Sequence, residues 1–134
     1  MYNLNSVFKK IELISVFYLQ MIKIDLTYLE TVGAGDTDFI KQMLEMFQKS
    51  TLPEIDNLEQ FYETKDWAMF TSTAHKIKAP MQMLGQESMR EQLIQLEMAG
   101  KGLGNRDTIS ETLTSLKGQI AELNTEIDKM IKSL

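Results

Sequence analysis

Apolar residues recur three and four positions apart along most of the chain, the spacing that gathers them on one stripe of a helix. The clearest run is C-terminal, where Ile109, Leu113, Leu116, Ile120, Leu123, Ile127, Met130 and Leu134 alternate steps of four and three. That heptad-like seam packs almost parallel to neighbouring helices. Thr108 and Glu111 have capping-box spacing and predict the start of this helix. The glycine-rich segment from Gly100 to Asn105 predicts the loop before it.

Upstream, Asp36 is a candidate N-cap for a helix bearing Ile40, Met43, Leu44, Phe47, Ile55, Leu58 and Phe61, which Pro53 should bend. Asp66 is positioned to cap the next helix, whose inward stripe is Phe70, Ala74, Ile77, Met81 and Leu84 and whose stop is Gly85. Ser88 and Glu91 have the spacing to box the start of a shorter helix with Met89, Leu93 and Leu96. No sustained alternation and no Asn-Gly or Asp-Gly turn competes for a strand. The expected fold is all-α: an antiparallel four-helix bundle over residues 23–134, preceded by an N-terminal helical extension over residues 1–22. Ile24 to Val32, closed by Gly33 and Gly35, supplies a short extra helix. In the extension Val7, Phe8, Ile11, Ile14, Tyr18 and Met21 fall at helical spacing. It reads either as an added helix or as sequence lying upstream of a start at Met21.

Composition narrows the chemistry. With 134 residues, 43% of them hydrophobic and 25% charged, the chain can enclose one modest core. It has no cysteine, which excludes disulfides, thiolate catalysis and cysteine-ligated zinc, and fits a reducing cytoplasm. The net charge of −5 disfavours nucleic acid, whose phosphates an acidic surface repels. The most apolar run, Leu13 to Ile22, is shorter than the roughly 20 residues a membrane-crossing helix needs. The ten methionines fall mostly on inward stripes and read as packing. Glu87, Glu91 and Glu97 read as a solvated helix face, and Lys76 as a solvated side chain.

The single histidine, His75, projects about 140° from the centre of its helix's inward stripe, beside Gln82 and flanked by Thr71, Lys78 and Ala79. It should be exposed. The window from Trp67 to Gln86 contains no Asp or Glu. A neutral imidazole nitrogen can attack phosphorus, and the Lys78 ammonium one turn on could offset charge on phosphoryl oxygens. A lone exposed histidine is by itself commonly plain surface. A di-iron bundle needs Glu three residues before its histidine, and Ser72 stands there.

The stretch Thr73-Ala-His-Lys-Ile-Lys-Ala-Pro-Met-Gln-Met-Leu-Gly85 resembles the phosphorylation-site helix of the histidine phosphotransfer (HPt) domains. Their hallmark is a histidine, a lysine three residues later and a closing leucine-glycine. Ile24-Asp-Leu-Thr-Tyr-Leu29, Gly35-Asp36, Phe39-Ile40 and Asp66-Trp67 agree in order and spacing, so the resemblance covers most of the chain. It implies that His75 carries a phosphoryl group, taken from one receiver-domain aspartate and passed to another, with Lys78 as the supporting cation. It implies partners among the receiver domains of response regulators or hybrid kinases, met on a surface of Thr71, Ala79, Gln82 and Gln86. The family places glycine after the motif lysine, where this chain has Ala79 and then Pro80, which should bend the helix beside the site. No Gly-rich nucleotide loop is visible, so the chain is expected to be a carrier rather than a kinase. It is expected to need no cofactor of its own, with Mg²⁺ belonging to the partner receiver. Two other readings share the same pattern: an interaction module that takes no phosphate, and a peripheral membrane protein held by the N-terminal segment.

Overall fold

The computed structural model describes residues 3–19 and 22–134. Its helices are α1 (Leu4–Leu19), α2 (Thr27–Val32), α3 (Thr37–Met46), α4 (Glu54–Glu63), α5 (Trp67–Met83), α6 (Glu87–Gly100) and α7 (Ile109–Ser133). A π-helical turn, Phe47–Thr51, joins α3 to α4, and a 3₁₀ turn, Arg106–Thr108, leads into α7. No strand occurs among the described residues. The architecture is the expected antiparallel four-helix bundle, its arms being α3 with α4, then α5, α6 and α7.

The first arm stays helical across its joint. Pro53 has no N–H to offer the carbonyl a turn back, and the chain absorbs the loss by widening. The Leu52 N–H donates to the Phe47 carbonyl five residues earlier at 2.9 Å, and Pro53 itself keeps helical angles (φ −64°, ψ −18°). Pro80 lies mid-helix, yet α5 continues unbroken through it. A mid-helix proline costs about 3 kcal/mol. Burial of Phe70, Ile77 and Met81 on the inward face, about 1.5–3 kcal/mol each, exceeds that.

Asp36 caps α3 by accepting from the Asp38 and Phe39 N–H groups, and Asp66 caps α5 by accepting from Met69. Gly85 ends α5 in the left-handed region (φ 72°). Its N–H donates to the Gln82 carbonyl at 3.0 Å and that of Gln86 to the Met81 carbonyl at 2.8 Å, which satisfies the open carbonyls of the last turn. A side chain at Gly85 would also meet Asp25 Cβ at 2.5 Å.

Several expected boundaries move. The short extra helix begins at Thr27 rather than Ile24, because the Asp25 carboxylate accepts from the Thr27 N–H at 2.9 Å while the Asp25 N–H is tied to the Leu84 carbonyl at 3.1 Å. Neither capping box forms. The turn ending α5 runs directly into α6, with Gln86 at the cap position and no side-chain cap bond. Thr108 stands at the N-cap position of α7 as expected but makes no side-chain cap bond, and Asn105 caps the 3₁₀ turn before it by accepting from the Asp107 N–H at 2.9 Å. Gly100, expected in the loop, is the buried last residue of α6.

The core runs along the bundle through Leu44, Phe47, Leu58, Phe70, Leu93, Leu116 and Leu123, all buried. In α7 the seam from Ile109 to Ile127 is buried as its spacing predicts, Met130 is partly so, and Leu134 is exposed. Of the methionines, Met81 and Met89 are buried, whereas Met46, Met69 and Met98 are exposed. Trp67 is a packing anchor: its ring lies 5.6 Å from Phe70 and 6.2 Å from Tyr62, with the Arg106 guanidinium 4.0 Å above it. In α1, Leu4, Val7, Phe8 and Ile11 are exposed along one stripe. Met21 and the side chains of Ile14 and Tyr18 lie outside the described residues. Among the described residues no helix is long and apolar enough to cross a membrane.

Candidate functional site

On α5 the buried Ala74 and Ile77 turn His75 outward, as the stripe predicts, and its side chain is 68% exposed. What the ring meets is decided by the neighbouring helix. Gly100 lets α6 close on α5: a Cβ there would overlap Thr71 Oγ1 and come within 2.9 Å of Phe70 Cδ1. Thr71 stands one turn before His75, and Gly100 stands one turn after Glu97. The close approach at Thr71 and Gly100 therefore brings Glu97 beside His75.

Glu97 is the centre of the cluster, with a side chain only 9% exposed. Its Oε1 meets His75 Nδ1 at 2.9 Å and Lys101 Nζ at 3.4 Å, and its Oε2 meets Lys78 Nζ at 2.6 Å. Burial alone would raise the pKa of this carboxyl. The hydrogen bonds from Lys78 and His75, the Lys78 charge and the Lys101 bond outweigh it and hold the pKa below the usual carboxylate value. Glu97 is thus an ionised, partly dry acceptor.

The carboxylate has chemical consequences for the ring. It can only accept, so the neutral imidazole presents its proton at Nδ1 and leaves the Nε2 lone pair open. Among the described residues Nε2 has no hydrogen-bond partner. A ring fixed at one nitrogen and open at the other is oriented for attack by Nε2. The carboxylate would also stabilise the positive charge the ring acquires when Nε2 forms a bond.

Ala79 and Gln82 are exposed on the His75 face, and Thr71 is half-buried against Gly100. Gln86, expected on the partner surface, is 7% exposed. Its amide donates to the Lys23 carbonyl at 2.8 Å and the Leu84 carbonyl at 3.0 Å, so it clasps the stretch leading into α2 to the end of α5. Lys78 is not a free cation, because Glu97 holds it. Lys76 is exposed as expected and reaches Glu54 at 3.0 Å in a surface ion pair. Glu97 is the chief residue missed. Glu87 and Glu91 are exposed as expected, but Glu97 follows Leu93 by four positions and so lies at the edge of the buried stripe. That spacing was the available signal. Lys101, four residues further on, was missed with it.

Among curated proteins the chain is similar to the virulence sensor protein BvgS of Bordetella pertussis, 24% identical over 94 residues that make up 69% of this chain. The virulence sensor protein BvgS of Bordetella bronchiseptica matches at the same identity over the same length. The chain spans about 8% of the length of these relatives. No family model matches it, and no solved structure matches it.

Proposed function

We propose that this chain is a phosphorelay carrier, which accepts a phosphoryl group from a receiver-domain aspartate onto His75 and passes it to another receiver. The observation that carries the reading is the pairing of Glu97 with His75 Nδ1 at 2.9 Å, which leaves Nε2 open on an exposed face. The HPt-like stretch around His75 supports it, and the distant similarity to a sensor protein is in keeping with a signalling role.

In the transfer, the Nε2 lone pair forms the N–P bond as the P–O bond to the receiver's aspartyl carboxylate breaks. The departing carboxylate keeps the electron pair. The Nδ1 proton stays in its hydrogen bond to Glu97, whose negative charge balances the imidazolium formed. An ammonium from the Glu97 cluster offsets charge on the transferring oxygens. Donation to the second receiver runs the same steps in reverse. The Mg²⁺ that assists belongs to the receiver, and the chain has no kinase activity of its own. Ala79 is small enough for a receiver to approach His75, and Ala79 and Gln82 supply part of the docking face.

The test is transfer from a ³²P-labelled receiver to wild type and to His75→Gln. Wild type should acquire acid-labile, base-stable label, and the variant none at unchanged helicity. Label on the variant, or none on wild type with any cognate receiver, would refute the reading.

A further inference from the structure

The two lysines on Glu97 are held differently. Lys78 contacts Oε2 at 2.6 Å and its side chain is 23% exposed; Lys101 contacts Oε1 at 3.4 Å and is 51% exposed. Lys78 therefore makes the short contact, at Oε2, whereas Lys101 comes nearest at Oε1, the oxygen that also meets the His75 ring. The root of Lys101 is fixed, because its backbone N–H donates to the Glu97 carbonyl at 3.1 Å, while its arm lies half in solvent.

We propose that Lys101, rather than the motif lysine Lys78, is the cation that moves onto the phosphoryl oxygens, while Lys78 stays on Glu97. The proposal rests on the carrier reading of His75. With a neutral ring, one carboxylate and two ammoniums leave the resting cluster net positive. The incoming phosphoryl group adds two negative charges on its oxygens and one positive charge on the ring. The imidazolium formed at His75 strengthens its own hold on Oε1, the oxygen that Lys101 shares, and so weakens the claim of Lys101 there. The new negative charge lies on the exposed side of the ring, within reach of an arm already half in solvent. Lys78 gains nothing by leaving, since its departure would strip the buried Glu97 of its closest counter-ion. The whole cluster then balances in charge without exposing Glu97.

The experiment compares the phosphohistidine lifetime in wild type, Lys101→Ala, Lys101→Arg and Lys78→Ala, each labelled by the same phosphorylated receiver. Lys101→Ala should shorten the lifetime about fivefold, near the upper limit for a solvent-exposed charge pair. Lys101→Arg should restore it, and Lys78→Ala should shorten it less. Lys78→Ala should instead move the acid limb of the transfer pH profile upward, because Glu97 loses its closest cation. Lys101→Ala equal to wild type, or Lys78→Ala losing as much lifetime as Lys101→Ala, overturns the division of labour while leaving the carrier reading intact. Wild type that takes no label sinks both.

Discussion

Gly100→Ala is the perturbation that couples packing to chemistry most directly. Gly100 lies at the end of a helix with no demand for left-handed backbone, so alanine there brings no conformational strain and even favours helix. The effect is one of volume. The added methyl would overlap Thr71 Oγ1, which can rotate away, and would lie 2.9 Å from Phe70 Cδ1, which cannot. Phe70 is fully buried among Tyr62, Trp67 and the core. Relief must come from α6 moving off α5 by several tenths of an ångström, at a cost of about 1–3 kcal/mol for overpacking. At roughly 4 °C per kcal/mol for a chain of this length, the midpoint should fall by roughly 4–12 °C. Glu97 is one turn from Gly100, so the same displacement should lengthen its contact with His75 Nδ1 and loosen the ring's orientation. Thermal unfolding by circular dichroism measures the first effect, and ¹⁵N NMR of the imidazole, which reads the Nδ1–H fraction, the second. A variant within about 0.5 kcal/mol of wild type, with an unchanged imidazole spectrum, would refute the argument that close packing at Gly100 sets the site.

Glu97→Gln should lose about 1–2 kcal/mol at neutral pH, since its partners can partly regain water. Because the Glu97 pKa is depressed below its ordinary 4.5, the wild-type advantage is present above that pH and fades as pH falls through the lower folded-state value. Urea midpoints for the two proteins should therefore converge in acid, and a pH-independent gap would contradict the assignment. Ala79→Trp should slow transfer from a receiver at least about tenfold, the effect of a clash near 1.4 kcal/mol, with helicity unchanged. Equal transfer rates would move the docking surface away from Ala79.

What could be read from the sequence was what depends on one helix at a time. The inward stripes of α5 and α7, the Asp36 and Asp66 caps, the stop at Gly85 and the exposure of His75 all follow from local spacing and backbone chemistry. The relation between helices was not legible in the same way. Glu97 lies 22 residues from His75 and was grouped with two ordinary surface glutamates, because nothing local distinguishes a carboxylate that faces a neighbouring helix from one that faces water. Gly100 looked like a loop residue because glycine near a helix end usually marks a turn, while its use here is to admit Thr71 and Phe70. The two failed capping boxes had the right letters, but the preceding turns had already set the chain's direction. The resemblance places Gln86 on the partner surface, but α5 has ended before it, and its amide turns inward onto the Lys23 and Leu84 carbonyls.

The central claim is that Nε2 of His75 receives the phosphoryl group while Nδ1 remains with Glu97. Phosphorus–nitrogen NMR on the ¹⁵N-histidine-labelled protein, phosphorylated by a receiver, reads this directly, because a single histidine gives a single assignable ring. The account predicts one phosphoramidate with phosphorus coupled to Nε2 and a protonated Nδ1. Phosphorus bonded to Nδ1, or a phosphoester elsewhere in the chain with the ring unmodified, would contradict it.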